Sequence, residues 1–95
     1  MTPIPDCDLC EAARITPWHA EDEVCWVADC AVCRVPMVVW RTHSPDPDVQ
    51  ARAHMRELVG AVADARFGAG AWVFDDHMRL IPDHFHAHAR PTSRW

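Results

Sequence analysis

Three histidines alternate near the end of the chain, in the run His84-Phe85-His86-Ala87-His88. Imidazole is a base, a nucleophile and a metal ligand near neutral pH. On a strand, alternate side chains share a face, so His84, His86 and His88 are expected to project together. Phe85, Ala87 and Ala89 would then face the other way, small and apolar enough to pack on a helix. Same-face neighbours lie ~6.6 Å apart along a strand and the outer pair ~13 Å. Zinc–nitrogen bonds of ~2.0–2.1 Å cannot gather all three rings on one ion without strong distortion. At least one histidine is therefore left for other chemistry. A polar strand face that happens to carry histidine is the plainer alternative, and strict alternation of three argues against it.

Cysteine supplies a second set of candidate ligands. Cys7-x2-Cys10 and Cys30-x2-Cys33 together read Cys-x2-Cys-x19-Cys-x2-Cys, a spacing accepted for a four-Cys zinc site. That reading gives a zinc-ribbon-like module with no catalysis. Two features weigh against it: the intervening segment holds an apolar strand with Trp26, which suits a core, and the histidine run is left unexplained. Cys25 reads as core, and Cys30 and Cys33 as small core residues or exposed thiols. His19, His54 and His77 are isolated and read as surface or locally bonded residues.

The elements that position these groups follow from periodicity. A loose start over residues 1–6 leads to one helical turn at 11–14, ended by Pro17. Strands are expected at 24–28 and 35–40, the second opening on Pro36 as a strand start or an edge. A helix is expected from about 47 to 67, with Asp46 as cap, Pro47 in its first turn and Gly68 just past its end. Met55, Leu58, Val59 and Val62 form its apolar stripe. Further strands are expected at 70–74, 77–81 and 84–90, then a tail over 91–95. The order is two strands, a long helix and three strands, an α+β domain with an antiparallel sheet.

Composition narrows the partners. The chain has 95 residues, sufficient for a single domain, and a net charge of −5. Its nine basic residues are all Arg and scattered, so broad binding to a nucleic-acid polymer or an anionic membrane is not expected. No apolar run approaches the ~18 residues a membrane span requires. The first ten residues carry Pro and Asp rather than a basic region and an apolar core, which is unlike a signal peptide. The five cysteines are an odd number, favouring metal ligation or free thiols over a disulfide framework, and a cytoplasmic location is expected. A core this small calls for a staple, and a structural metal fits.

The histidine run resembles the signature of the histidine-triad (HIT-like) superfamily, His-x-His-x-His with apolar residues between. Other segments are similar in the same order. Cys7-x-x-Cys10 looks like the Cys pair of zinc-containing members. Asp29 follows a strand, as the family's ribose-side acid does. Val38-Val39-Trp40-Arg41-Thr42-His43 looks like the strand that ends in a histidine, and a helix then leads to the histidine strand. The resemblance spans roughly residues 7–91. It implies an antiparallel sheet of about five strands packed against one long helix.

The resemblance also implies a mechanism. His86 would attack the α-phosphate of a nucleotide and form a covalent nucleotidyl-histidine. A backbone carbonyl would fix its tautomer, and His88 would stabilise charge on phosphate oxygens. Cys7, Cys10, His43 and His84 would hold a zinc; four protein ligands leave no open position, so that zinc would be structural. The partner would be a nucleotide or nucleoside phosphate, with a homodimer as in many relatives. The chain departs from the family in having no Asn, and Gln50 on the helix is its only Gln. Leu80 and Ile81 stand where relatives carry Gln and Ser. Arg79 or Arg90 would compensate as anion donors. A non-catalytic, zinc-stabilised binding protein is the alternative within the same family.

Overall fold

A computed structural model describes residues 16–31, 33–78 and 83–92. Five strands form one antiparallel sheet: β1 (Trp18–Glu21), β2 (Cys25–Asp29), β3 (Pro36–Trp40), β4 (Trp72–Asp75) and β5 (His86–Pro91). Helix α1 (Val49–Phe67) lies between β3 and β4 in the chain. The spatial order is β1-β2-β3-β5-β4, so β5 sits between β3 and β4, away from both sheet edges. The architecture is α+β with an antiparallel sheet, as expected. Among the described residues no helix is long and apolar enough to cross a membrane.

The distribution of strands differs from the sequence-based expectation. Three strands precede the helix and two follow it. β1 lies just after Pro17, where the short polar segment Trp18-His19-Ala20-Glu21 gives little apolar signal. It forms because β2 offers an edge, pairing Trp18 with Ala28 and Glu21 with Trp26. Residues 77–78 of the expected strand at 77–81 are not part of the sheet, and 79–81 lie outside the described residues. The expected helical turn at 11–14 lies outside them as well.

Helix α1 begins two residues later than Asp46 implies. Its cap is Asp48, whose carboxylate accepts the backbone N–H of Ala51 at 2.7 Å. Pro47 is buried just before it. At the other end Gly68 adopts φ 104° and donates its N–H to the carbonyl of Asp64 at 3.0 Å. The Asp64 carboxylate then accepts from Gly70 N (2.9 Å) and Trp72 Nε1 (2.7 Å), which ties the helix end to the start of β4.

The helix packs on one sheet face. Met55, Val59 and Ala63 meet Cys25, Val27, Val38, Phe85, Ala87 and Ala89, all fully buried. Leu58 and Val62 pack against this core from its margin. Small residues at Gly60, Ala63, Ala87 and Ala89 let helix and sheet approach closely. Arg52 places its guanidinium 4.7 Å from the Phe85 ring and holds the start of the histidine segment from the helix side. The other sheet face carries Trp26, Ala28 and Val39 with Trp18 and Met37 around them. Trp18 and Trp26 stack there at 4.5 Å.

Candidate functional site

Register decides which face the histidines share. In the β3–β5 pairing Met37 opposes His88, Val38 opposes Ala87 and Val39 opposes His86. Directly opposed residues share a face. Ala87 therefore joins Val38 on the helix side, and His86 and His88 join Val39 and Met37 on the tryptophan side. The alternation expected from sequence is present, and Phe85, Ala87 and Ala89 form the helix-facing set. The strand itself begins at His86, not His84. Phe85 N–H is diverted to the carbonyl of Ser44 at 2.8 Å, outside the ladder. All three histidines are buried, at 0%, 7% and 8% exposure along the run.

His86 carries a fixed tautomer. Its Nδ1 lies 2.9 Å from the backbone oxygen of His84. A carbonyl only accepts, so Nδ1 bears the proton and donates it, and Nε2 keeps its lone pair. The His86 and His88 rings meet edge-on with centroids 5.8 Å apart.

His84 and His43 form a second pair. The Nδ1 atoms stand 3.3 Å apart and the rings are perpendicular. His84 Nε2 donates to the carbonyl of Trp40 at 2.5 Å, and His43 Nε2 donates to the carboxylate of Asp83 at 3.2 Å. With both Nε2 atoms protonated, two Nδ1 lone pairs converge. Tetrahedral ligands at ~2.0–2.1 Å from an ion stand ~3.3 Å apart, so the pair has the spacing of two vertices of a tetrahedral metal site. Hydrogen bonds from the far nitrogens to a carbonyl and a carboxylate orient metal-binding imidazoles in this way. Burial depresses the His84 pKa, and the neighbouring His43 and His86 push it further down. The Trp40 carbonyl and Asp83 oppose this only in part. His84 is thus held neutral, the form that ligates. Cys7 and Cys10 lie outside the described residues, so the two histidines supply half of the expected set.

The structure brings together other groups that the sequence did not join. The thiols of Cys30 and Cys33 and a ring nitrogen of His88 all lie within 4.8 Å of one another. The alternative that grouped Cys30 and Cys33 with the N-terminal cysteines rested on linear spacing. That spacing did not show that the β2–β3 hairpin ends beside β5. Arg90, expected to offer its charge to an anion, donates from Nε to Asp75 at 2.6 Å and also hydrogen-bonds Cys33. Its guanidinium is held in the charged form by those partners.

Asp29 is not brought to His86. It ends β2 on the helix side, where it pairs with Arg66 of α1 at 3.0 Å and with His19 at 2.9 Å. Its burial alone would raise the carboxyl pKa, but His19 and Arg66 together hold it below the usual range. Arg79 lies outside the described residues. His54 is bonded locally, to Asp22 at 2.5 Å, and His77 is exposed. Cys25, beside Asp22 and His54, is fully buried. Desolvation and the Asp22 charge push its thiol up to about 12, so it is a core residue and no nucleophile.

No family model, curated protein or solved structure matches this chain.

Proposed function

We propose that this chain is a HIT-like nucleotide-binding protein that acts on phosphoesters through His86. The observation that carries the reading is the Nδ1–H bond from His86 to the His84 carbonyl, which leaves Nε2 as a lone-pair donor on the face opposite the helix. Attack by that nitrogen on an α-phosphate forms a P–N bond and expels the leaving group with its electron pair. Water or another acceptor then takes the nucleotidyl group and restores the imidazole. His88 stands next along the same face, where a protonated ring would donate to phosphate oxygens. His43 and His84, with Cys7 and Cys10, would hold a structural zinc, and the 3.3 Å Nδ1 spacing fits that role. When bound, that zinc supplies a cross-link between the chain start and the histidine segment.

A second reading keeps the nucleotide pocket without turnover. It is favoured by Arg90, whose charge is already committed to Asp75 and Cys33. Incubating the chain with labelled mono-, di- and dinucleoside polyphosphates separates the two. An acid-labile adduct formed by the wild type and absent from His86→Ala supports catalysis. Binding with neither adduct nor turnover supports the second reading, and no binding at all removes both.

A further inference from the structure

The hairpin between β2 and β3 has the build of a metal knuckle. Cys30 leaves β2 and donates its N–H to Val35 O at 2.9 Å, and Arg34 N–H returns to Cys30 O at 2.8 Å. Cys33 N–H points at Cys30 Sγ, 3.4 Å away. Such an N–H···S bond stabilises a thiolate more than a thiol, because the charged sulfur is the better acceptor. Arg34 sits at φ 62°, a left-handed conformation that a non-glycine residue adopts at a cost. That turn directs the chain back into β3.

His88 arrives from a different element. It opposes Met37 on β3 and Asp75 on β4, so it sits one pair from the hairpin base, where Asp29 meets Pro36. The sulfurs and the ring nitrogen lie within 4.8 Å of one another. Around a tetrahedral zinc with bonds of ~2.3 Å to sulfur and ~2.0–2.1 Å to nitrogen, ligand atoms stand ~3.4–3.8 Å apart. Separations within 4.8 Å are of the order a shared ion requires. The Arg90 guanidinium beside Cys33 offsets thiolate charge.

We propose that Cys30, Cys33 and His88 form a zinc site, separate from the His43–His84 pair, with three protein ligands and a fourth position open to solvent or an anion. Two thiolates and an imidazole are the donor set of a borderline-soft divalent ion, and they disfavour calcium and magnesium. The site does not depend on the phosphoester reading. It competes with one part of it, since a ring nitrogen bound to zinc is not available to phosphate.

Cobalt(II) reports the site by its thiolate charge-transfer bands and tetrahedral ligand-field bands. The full chain, reduced and metal-free, is titrated with cobalt alone and then with zinc. Wild type is expected to take two equivalents, and Cys30→Ser/Cys33→Ser one, with circular dichroism unchanged because the hairpin turn is peripheral to the core. His88→Gln is expected to weaken one equivalent at least tenfold. One equivalent in wild type that disappears in Cys30→Ser/Cys33→Ser and weakens at least tenfold in His88→Gln supports this site and removes the His43–His84 site; the same loss with His88→Gln unchanged points to the four-Cys site and overturns the proposal. Equal stoichiometry and affinity in wild type, the double serine variant and His88→Gln overturns the proposal. So does a wild type that gives no charge-transfer band.

Discussion

The Nδ1–H of His86 is bonded at 2.9 Å to the carbonyl oxygen of His84, so the residue proposed to ligate zinc also fixes the proton of the residue proposed as nucleophile. One residue of backbone joins the two roles. Any change that moves the His84 main chain shifts the tautomer and direction of His86.

His84→Ala is expected to lower stability by about 2–4 kcal/mol even without metal. The variant leaves a void at a fully buried position and deprives the Trp40 carbonyl of its 2.5 Å partner. Thermal or urea melts measure this. If the phosphoester reading holds, the same variant forms the His86 adduct at least tenfold more slowly. A melt within 0.5 kcal/mol of wild type would show that the His84 ring carries no structural role.

Gly60→Ala should destabilise the protein although alanine is the better helix former by about 1 kcal/mol. A Cβ at position 60 would stand 2.8 Å from Cζ2 of Trp72. The indole cannot easily retreat, because its Nε1 is bonded to Asp64 at 2.7 Å and Arg56 lies over its ring. Overpacking of this kind costs about 1–3 kcal/mol. An unchanged or raised melting temperature would mean that β4 shifts freely on the helix.

Asp22 gives a pH signature. Partial desolvation raises its pKa, but the N–H groups of Cys25 and Val24 and the His54 ring outweigh it and bring the carboxyl to about 2. The unfolded chain then binds this proton more readily than the folded one. Stability contributed by Asp22 is fully present above about pH 4 and is lost as pH falls toward 2. With the side chain 29% exposed, solvent screening limits the contribution to on the order of 1–2 kcal/mol. Asp22→Asn is expected to flatten the stability curve between pH 4 and 2. Parallel curves for the two proteins would contradict this.

Asp29→Asn tests where the ribose-side acid belongs. The carboxylate is engaged with Arg66 and His19 on the helix side. Loss of its charge should cost about 0.5–1 kcal/mol of stability. Nucleotide affinity and adduct formation should stay within twofold of wild type. A tenfold loss of affinity with an unchanged melt would place Asp29 at the ligand after all.

The sequence by itself determined the local features. Alternation in His84–His88 specified two faces, and the small residues Ala87 and Ala89 marked the one that meets the helix. Met55 and Val59 marked the reciprocal helix stripe, and Gly68 marked its end. These signals are legible because each depends only on the repeat of one element. Tertiary structure decided the rest. β1 exists because an edge of β2 was available, not because its own residues demand extension. The sheet order put β5 between β3 and β4, and that placement brought His88 to Cys30 and Cys33 and Arg90 to Asp75. Linear spacing had offered the cysteines to each other as an alternative, and the family resemblance had assigned Asp29 to the nucleotide. Strand pairing joins residues tens of positions apart, and no local pattern records which hairpin end will lie beside which strand.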